Sequence, residues 1–224
     1  MKLAWVLLLW SAGGLAQAPR VFVTTIEPGL KPAHSLQLDG DTLVHSIRVG
    51  ADVETHKITP TPEQWTAFRR ALDDQKVWRW RGNYSQSRAS DAIAWSLKVE
   101  YADRSLASAG AAAFPDRSSD RELPKYAFNR YQLALQELIG RPFGRGVKPI
   151  EVFDVAELRL VATHPSQDRA DRWADFRDPG GKVHRVALHG AVGARGKLTK
   201  VGRSSVSVSI KGSETTIPLS PAKK

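Results

Sequence analysis

Hydrophobic and polar positions along the chain change their period near residue 140. Before that point, segments with apolar residues every three or four positions alternate with segments of period two. After it, almost every hydrophobic segment has period two. The first spacing is typical of a helix with one buried face, and the second is typical of a strand with one buried face. The pattern therefore predicts a mixed first part and an all-β second part.

Two helices are predicted in the first part. Thr61 stands before Pro62, and Gln64 follows Thr61 by three residues, which is typical of a capped helix start. We expect this helix to end near Gln75. Its apolar face would consist of Trp65, Phe68 and Leu72. A second helix is predicted from about Pro124, with Phe128, Tyr131, Leu135 and Leu138 on its apolar face.

Period-two segments of the first part predict an antiparallel sheet that the two helices cover. The predicted strands are Val21–Ile26, Ser35–Val49 with a hairpin turn at residues 39–41, Val77–Trp80 and Ile93–Tyr101. Residues 83–91 are polar and predict a loop. Because strands and helices are mixed in this way, the predicted fold class is α+β.

The second part predicts a small β-sandwich or barrel, because six short strands follow one another with glycine-rich turns between them. These strands are predicted at 158–162, 173–177, 182–186, 197–201, 205–210 and 214–219. The predicted organisation is a signal peptide at 1–18, an α+β domain at 19–140, a Gly/Pro linker at 141–149, a β-domain at 150–220 and a tail at 221–224.

The N-terminal segment has the three parts of a secretory signal peptide. Lys2 precedes the apolar run Leu3–Trp10, and small residues follow it. The apolar stretch is shorter than the roughly 20 residues that cross a bilayer. We expect cleavage after Ala16 or Ala18, a periplasmic or secreted protein, and no transmembrane span after cleavage.

The amino-acid composition excludes several kinds of site and indicates the charge of the partners. The 224 residues include no cysteine, which excludes disulfides, thiol catalysis, cysteine-ligated zinc and a lipid-bearing cysteine. The net charge is +10, and from Lys148 onward 14 basic and 8 acidic residues give +6. A basic protein favours anionic partners. Because the chain is expected to be exported, we predict no nucleic-acid partner.

No catalytic or cofactor motif is found. The loop Gly190–Leu198 departs from a phosphate-binding loop in its spacing, and a strand is expected to follow it. The six histidines have no ligand spacing and are predicted to be isolated surface residues. No nucleophile elbow is present. We therefore expect no cofactor, no metal and no enzymatic activity.

Tryptophans of the first part offer a second hypothesis. Trp78 and Trp80 would share one face of a strand, so both would be buried or both exposed. If exposed, they could form a platform for a ligand or a partner, since Trp is enriched in binding hot spots. If buried, they fill the space between helix and sheet. The sequence leaves both alternatives open.

The second part resembles the PilP family of type IV pilus assembly, whose periplasmic β-domain is related to the homology region of GspC in type II secretion. The resembling residues are Phe153–Ala162, Trp173–Val186, Gly190, Gly193, Gly196 and the closing strands. The resemblance implies a scaffold that links an inner-membrane platform to the periplasmic end of a secretin. It also implies a partner strand at an open sheet edge formed by Leu158, Arg159, Leu160, Val161 and Ala162. The alternative is that this segment is an internal strand.

The chain departs from that family in two respects: it has no lipid-bearing cysteine, and it carries an α+β first part. The first part resembles uncharacterised secreted bacterial domains on Pro62–Tyr84, Trp95–Leu97, Gly110 and Phe114–Pro115. Our leading hypothesis is a periplasmic, non-enzymatic scaffold that contacts secretin periplasmic domains or pilus platform proteins. The alternative is a secreted inhibitor or ligand-binding module that acts through its tryptophans.

Overall fold

The computed structural model describes residues 18–29, 32–85, 93–144 and 146–221. Most of the predicted signal peptide and most of the predicted tail lie outside these residues. The helices are α1 (Pro62–Asp74) and α2 (Ala127–Ile139). The strands are β1 (Val21–Pro28), β2 (Ala33–Asp39), β3 (Thr42–Val49), β4 (Asp52–Ile58), β5 (Asn83–Ser85), β6 (Ile93–Glu100), β7 (Ser105–Ala111), β8 (Arg159–His164), β9 (Trp173–Arg177), β10 (Val183–Ala187), β11 (Ala191–Val192), β12 (Gly196–Val201), β13 (Ser205–Ile210) and β14 (Ser213–Pro218). No helix in the described ranges is long and apolar enough to span a membrane. The predicted α+β class is confirmed.

Helix α1 begins with the predicted cap. The Thr61 hydroxyl accepts a hydrogen bond from the Gln64 N–H at 3.3 Å, and the Gln64 side chain accepts one from the Thr61 N–H at 2.8 Å. These two bonds satisfy backbone donors that the first helical turn leaves unpaired. The buried face of α1 packs on β1, where the Phe22 ring centroid lies 5.5 Å from that of Phe68 and 6.3 Å from that of Trp65.

The N-terminal sheet has the strand order β4-β3-β2-β1-β6-β7-β5. Every pairing is antiparallel except that of β5 with β7. A two-residue turn joins β2 to β3, and Gly40 adopts φ +63° in it, a conformation that glycine reaches without strain. The predicted hairpin is confirmed. Strands β4, β5 and β7 were not expected from the sequence.

The segment 77–80 is not the predicted strand. Val77–Arg79 forms a 3-10 helix, and Trp80 leaves it in an extended conformation. Trp80 is buried at 4% exposure, with its ring centroid 6.0 Å from that of Trp95, whereas Trp78 is half-buried. The two rings therefore do not share a face. In a 3-10 turn, side chains three residues apart lie on one face, so Val77 and Trp80 are both buried and Trp78 is not.

The C-terminal strands form two sheets. A three-stranded sheet has the order β10-β9-β8, and a four-stranded sheet has the order β11-β12-β13-β14. Alternate side chains of both sheets enter one core. This core contains Ile150, Leu158, Leu160, Ala174, Phe176, Val186, Val192, Leu198, Val201, Val206 and Val208. The predicted strands 173–177 and 205–210 match β9 and β13 residue for residue.

Close backbone approach explains the glycines between β10 and β12. A Cβ atom on Gly196 would lie 2.3 Å from the Val192 carbonyl oxygen. A Cβ on Gly193, where φ is +64°, would lie 2.8 Å from the Phe153 carbonyl oxygen. These positions therefore accept only glycine without a shift of the backbone. The loop is a set of tight turns between strands.

The chain divides into two compact units. One contains residues up to Ala113 together with Glu137–Arg141, and the other contains Phe114–Gln136 together with the residues from Pro142 onward. Within the second unit, α2 contacts the segment that precedes β8. Arg130 donates to the Val152 carbonyl at 2.8 Å and Gln136 to the Val147 carbonyl at 2.7 Å. The domain ranges given above stay predictions.

Candidate protein interface

The five residues predicted as a partner site lie in different environments. Leu158 and Leu160 are core residues, with 5% and 0% exposure. Arg159 is exposed, Ala162 is half-buried, and Val161 lies at a bulge where the register between β8 and β9 shifts. A bulge breaks the simple alternation of a strand. The sequence pattern could not show this division.

Strand β8 is the last strand of its sheet, but other residues of the same unit contact its outer edge. The Leu160 carbonyl accepts a hydrogen bond from the Ser220 N–H at 2.9 Å. The Thr163 hydroxyl donates to the Arg203 carbonyl at 2.9 Å. An added strand would have to displace the Ser220 bond to pair continuously along β8. The edge of β8 is therefore already partly occupied within the unit.

Strand β10 forms the opposite edge of the three-stranded sheet. The Leu188 N–H donates to the Arg172 carbonyl at 2.9 Å. Because every second residue of an antiparallel strand bonds to the same neighbour, this bond shows which residues of β10 are bonded to β9. The even-numbered residues of β10 face β9, so the backbone groups of Val183 and Arg185 point away from the sheet. In the described part of the chain, β10 pairs with β9 alone. This edge offers two N–H and two C=O groups to a partner strand.

Strand β14 is the outer strand of the four-stranded sheet, and it is a poorer edge. Its ladder with β13 leaves the backbone groups of Glu214, Thr216 and Pro218 pointing outward. Pro218 has no N–H to donate, and proline is typical of edges that discourage pairing. Beyond it, the Leu219 N–H is already bonded to the Ser204 carbonyl at 2.8 Å.

The exposed face beside β10 carries an aromatic and basic stack. We call it the outer face, and it consists of Arg159, Ala162, His164, Trp173, Asp175, Arg177, Val183, Arg185 and Ala187. The Trp173 ring lies parallel to that of His164, with centroids 5.0 Å apart and an interplanar angle of 5°. The Arg185 guanidinium carbon lies 3.7 Å from the Trp173 centroid. Both Trp and Arg are enriched in binding hot spots.

Asp175 fixes the Arg185 guanidinium over the tryptophan. Arg185 donates to both carboxylate oxygens, at 3.0 Å and 3.2 Å. This two-point geometry holds a side chain that would otherwise lose rotamer freedom on binding. Sequence reasoning missed the outer face, although the alternation in residues 173–177 places Trp173 and Asp175 opposite the buried Phe176.

The hairpin that carries β10 is anchored by a shielded hydrogen bond between a histidine and a carboxylate. His184 and Asp178 approach to 2.8 Å, and their side chains are 9% and 8% exposed. Desolvation raises the pKa of Asp178, but the hydrogen bonds from His184 and from the Lys182 N–H outweigh it, so that the pKa lies below its ordinary value. The carboxylate stays charged and holds the turn before β10.

The structure corrects the prediction of isolated surface histidines. His34 and His45 are buried at 8% and 0% exposure, and their ring nitrogens approach to 3.1 Å. His45 also lies opposite His56 in the β3–β4 ladder. Burial lowers the pKa of His34 and, together with the charges of His34 and Arg141, lowers that of His45 to about 4. No group of metal-ligating side chains is found among the described residues.

The two candidate aromatics of the first part differ in exposure, since Trp80 is buried and Trp78 is half-buried. Trp78 is held by its neighbours: its indole N–H donates to Asp73 at 2.5 Å, and the Arg69 guanidinium carbon lies 4.8 Å from its centroid. Arg69 in turn donates to both oxygens of Asp103, at 3.1 Å and 2.9 Å. The indole N–H of Trp78 and the charge of Arg69 are thus already paired with carboxylates of the first unit.

Comparisons with known proteins give one similarity. No family model and no curated protein matches the chain. A search of solved structures finds a domain of the type IV pilus biogenesis lipoprotein PilP from Pseudomonas aeruginosa, at 21% identity and a TM-score of 0.28. The match covers 33% of this chain and 96% of that domain. The matched domain comes from the family that residues 153–219 resemble in sequence.

Proposed function

We propose that this chain is a non-enzymatic binding protein of the bacterial envelope that takes up a strand of a partner protein at the edge of β10. The observation that carries the proposal is the outward-pointing backbone of Val183 and Arg185, which has no partner strand in the described part of the chain. Main-chain hydrogen bonds along such an edge give affinity, and alternate side chains give specificity.

The outer face indicates the chemistry of the partner strand. A strand paired with β10 places every second side chain on the same face as Arg185 and Trp173. Arg159, Arg177 and Arg185 outnumber the one carboxylate there, that of Asp175. An extended segment with acidic residues at alternate positions is therefore the complementary partner.

The resemblance of residues 153–219 to the PilP family indicates which class of partner protein to test. It implies the periplasmic domains of a secretin or the platform proteins of a pilus, and we propose these in that order. The predicted export of the chain is consistent with such a partner, since both kinds of protein expose domains in the periplasm.

Calorimetric titration of the mature chain with the periplasmic domains of a secretin from the same organism tests this proposal. Val183→Pro removes an outward N–H without removing a bond of the β9–β10 ladder. We expect it to weaken binding at least about tenfold, since a lost main-chain bond and a blocked edge exceed 1.4 kcal/mol.

The matched control is Thr216→Pro, which removes an outward N–H from β14 in the same way. We expect it to bind as the unmodified chain does. Circular dichroism spectra of both variants establish that they are folded. Absence of binding by the unmodified chain, or equal binding by the Val183→Pro variant, would overturn the proposal.

A further inference from the structure

A separate cavity of about 320 Å³, widely open to solvent, lies in the second unit, and none of its lining residues belongs to β10. Its lining residues are Asp116, Arg117, Ser118, Lys125, Tyr126, Asp154 and Arg195. Three of these side chains are cations and two are carboxylates, which gives the lining a formal charge of +1. Which of the cations can bind an anion depends on which of them are already paired with these two carboxylates.

Both carboxylates are engaged by neighbours within the cavity wall. Asp116 accepts from the Ser118 N–H at 2.6 Å, from the Ser118 hydroxyl at 2.5 Å and from the Ser119 N–H at 3.1 Å. Asp154 accepts from the Lys125 ammonium at 2.5 Å and from the Tyr126 hydroxyl. The bond from Lys125 and then the bond from Tyr126 hold the pKa of Asp154 below its ordinary value, so the carboxylate remains charged.

Arg117 and Arg195 are the two cations that these carboxylates do not pair with directly. Among the described residues, neither guanidinium has a hydrogen bond or an ion pair with a carboxylate, and both side chains belong to exposed residues. Arg195 lies over the Tyr126 ring, with its guanidinium carbon 5.8 Å from the centroid. A guanidinium is a planar set of donors that matches an oxyanion.

The wall behind these arginines is fixed by backbone and side-chain contacts. The Ala194 N–H donates to the Phe153 carbonyl at 2.9 Å, which ties the turn carrying Arg195 to the residue before Asp154. Tyr126 adopts φ +56°, an unusual conformation for a residue other than glycine, and α2 begins at the next residue. The first turn of α2 adds a partial positive charge at this end of the helix.

We propose that this cavity binds a small oxyanion, a carboxylate or a phosphate, with Arg117 and Arg195 as its cationic ligands. Lys125 and Tyr126 are positioning residues. Both donate hydrogen bonds to Asp154, so the charge of Lys125 is already paired and does not bind the anion. The volume is at the lower end of the range for ligand pockets, which suits one acidic group or a small acid. The site shares no residue with the β10 edge and goes beyond the proposed function.

Titration of the full chain with inorganic phosphate and, separately, with glutarate tests the site by amide chemical shifts in NMR spectra. We expect saturable shifts at residues 116–118, 125–126 and 194–196 with at least one of the two anions. The double variant Arg117→Gln/Arg195→Gln should lose at least about tenfold in affinity for that anion, since charged hydrogen bonds are the strong ones. The anion that binds more tightly identifies the source as phosphate or carboxylate.

The control is Arg169→Gln/Arg203→Gln, which removes the same charge from exposed residues that do not line the cavity. It should bind the anion as the unmodified chain does. Two results would overturn the proposal: no saturable shift with either anion, or an equal loss of affinity in the control. The second result would mean that net charge, and not the cavity, attracts the anion.

Discussion

At the scale of single residues, the structure gives aromatic and titratable side chains partners that the sequence does not reveal. The sequence places Trp78 next to other apolar residues but does not show that Arg69 and Asp73 surround it. Likewise, the spacing of His34 and His45 by eleven residues does not show that a hairpin brings their rings together. Contacts across strands depend on register, and register depends on the turn at Gly40.

Replacement of Trp78 tests whether its cluster is structural. Trp78→Ala removes the stacking of Arg69 and leaves Asp73 without the indole donor, so we expect the free energy of unfolding to fall by about 2 kcal/mol. Trp78→Phe keeps a ring and should cost about half as much. Denaturant unfolding measures both values. An unchanged free energy of unfolding would instead favour the hypothesis of an aromatic platform.

The buried histidine pair predicts a pH dependence of stability. Because the pKa of His45 in the folded chain is about 4, below the ordinary 6.5, the neutral form is favoured by folding. The stabilisation is complete above pH 6.5 and is lost as the pH falls from 6.5 toward 4. We expect a lower unfolding temperature at pH 5 than at pH 7, and a smaller difference in the His45→Asn variant.

The control for this prediction is His189→Asn, which replaces an exposed histidine of the second unit. This variant should show the same pH dependence as the unmodified chain. If its pH dependence falls as much as that of His45→Asn, the buried pair is not the source. Thermal unfolding at the two pH values distinguishes the cases.

At the scale of elements, strands could be predicted where apolar and polar residues alternate and turn residues mark both ends. Strand β13 alternates between inward apolar and outward polar residues, and β9 alternates between buried and more exposed residues, so their ends could be predicted. Strand β4 is largely exposed, and β7 consists of Ser, Ala and Gly residues with a single Leu. Neither shows a marked alternation, and both form because their neighbours in the sheet provide backbone partners.

A glycine in β7 marks a point where the sheet tolerates no side chain. A Cβ atom on Gly110 would lie 2.5 Å from the Trp95 indole nitrogen and 2.6 Å from the Tyr84 carbonyl oxygen. We expect Gly110→Ala to lower the free energy of unfolding by about 2 kcal/mol through overpacking. Gly82→Ala is the matched control, because its nearest atom would be 3.9 Å away. Equal effects of the two substitutions in denaturant unfolding would contradict this explanation.

At the scale of the whole molecule, sheet order decides which edge can bind, and sheet order cannot be read from local pattern. The sequence directs attention to residues 158–162, and β8 is indeed the last strand of its sheet. However, Ser220, a residue some sixty positions further along, bonds to its edge. The β10 edge and the outer face become visible only when the order β10-β9-β8 is known.

Amide hydrogen exchange of the mature chain, alone and bound to the secretin periplasmic domains, tests strand addition at β10 most directly. The outward N–H groups of Val183 and Arg185 should exchange quickly in the unbound chain and slowly in the complex, because they then donate to the partner strand. Those of Glu214 and Thr216 on β14 should exchange at the same rate in both states. Protection of Glu214 and Thr216 with no change at Val183 and Arg185 would contradict the account.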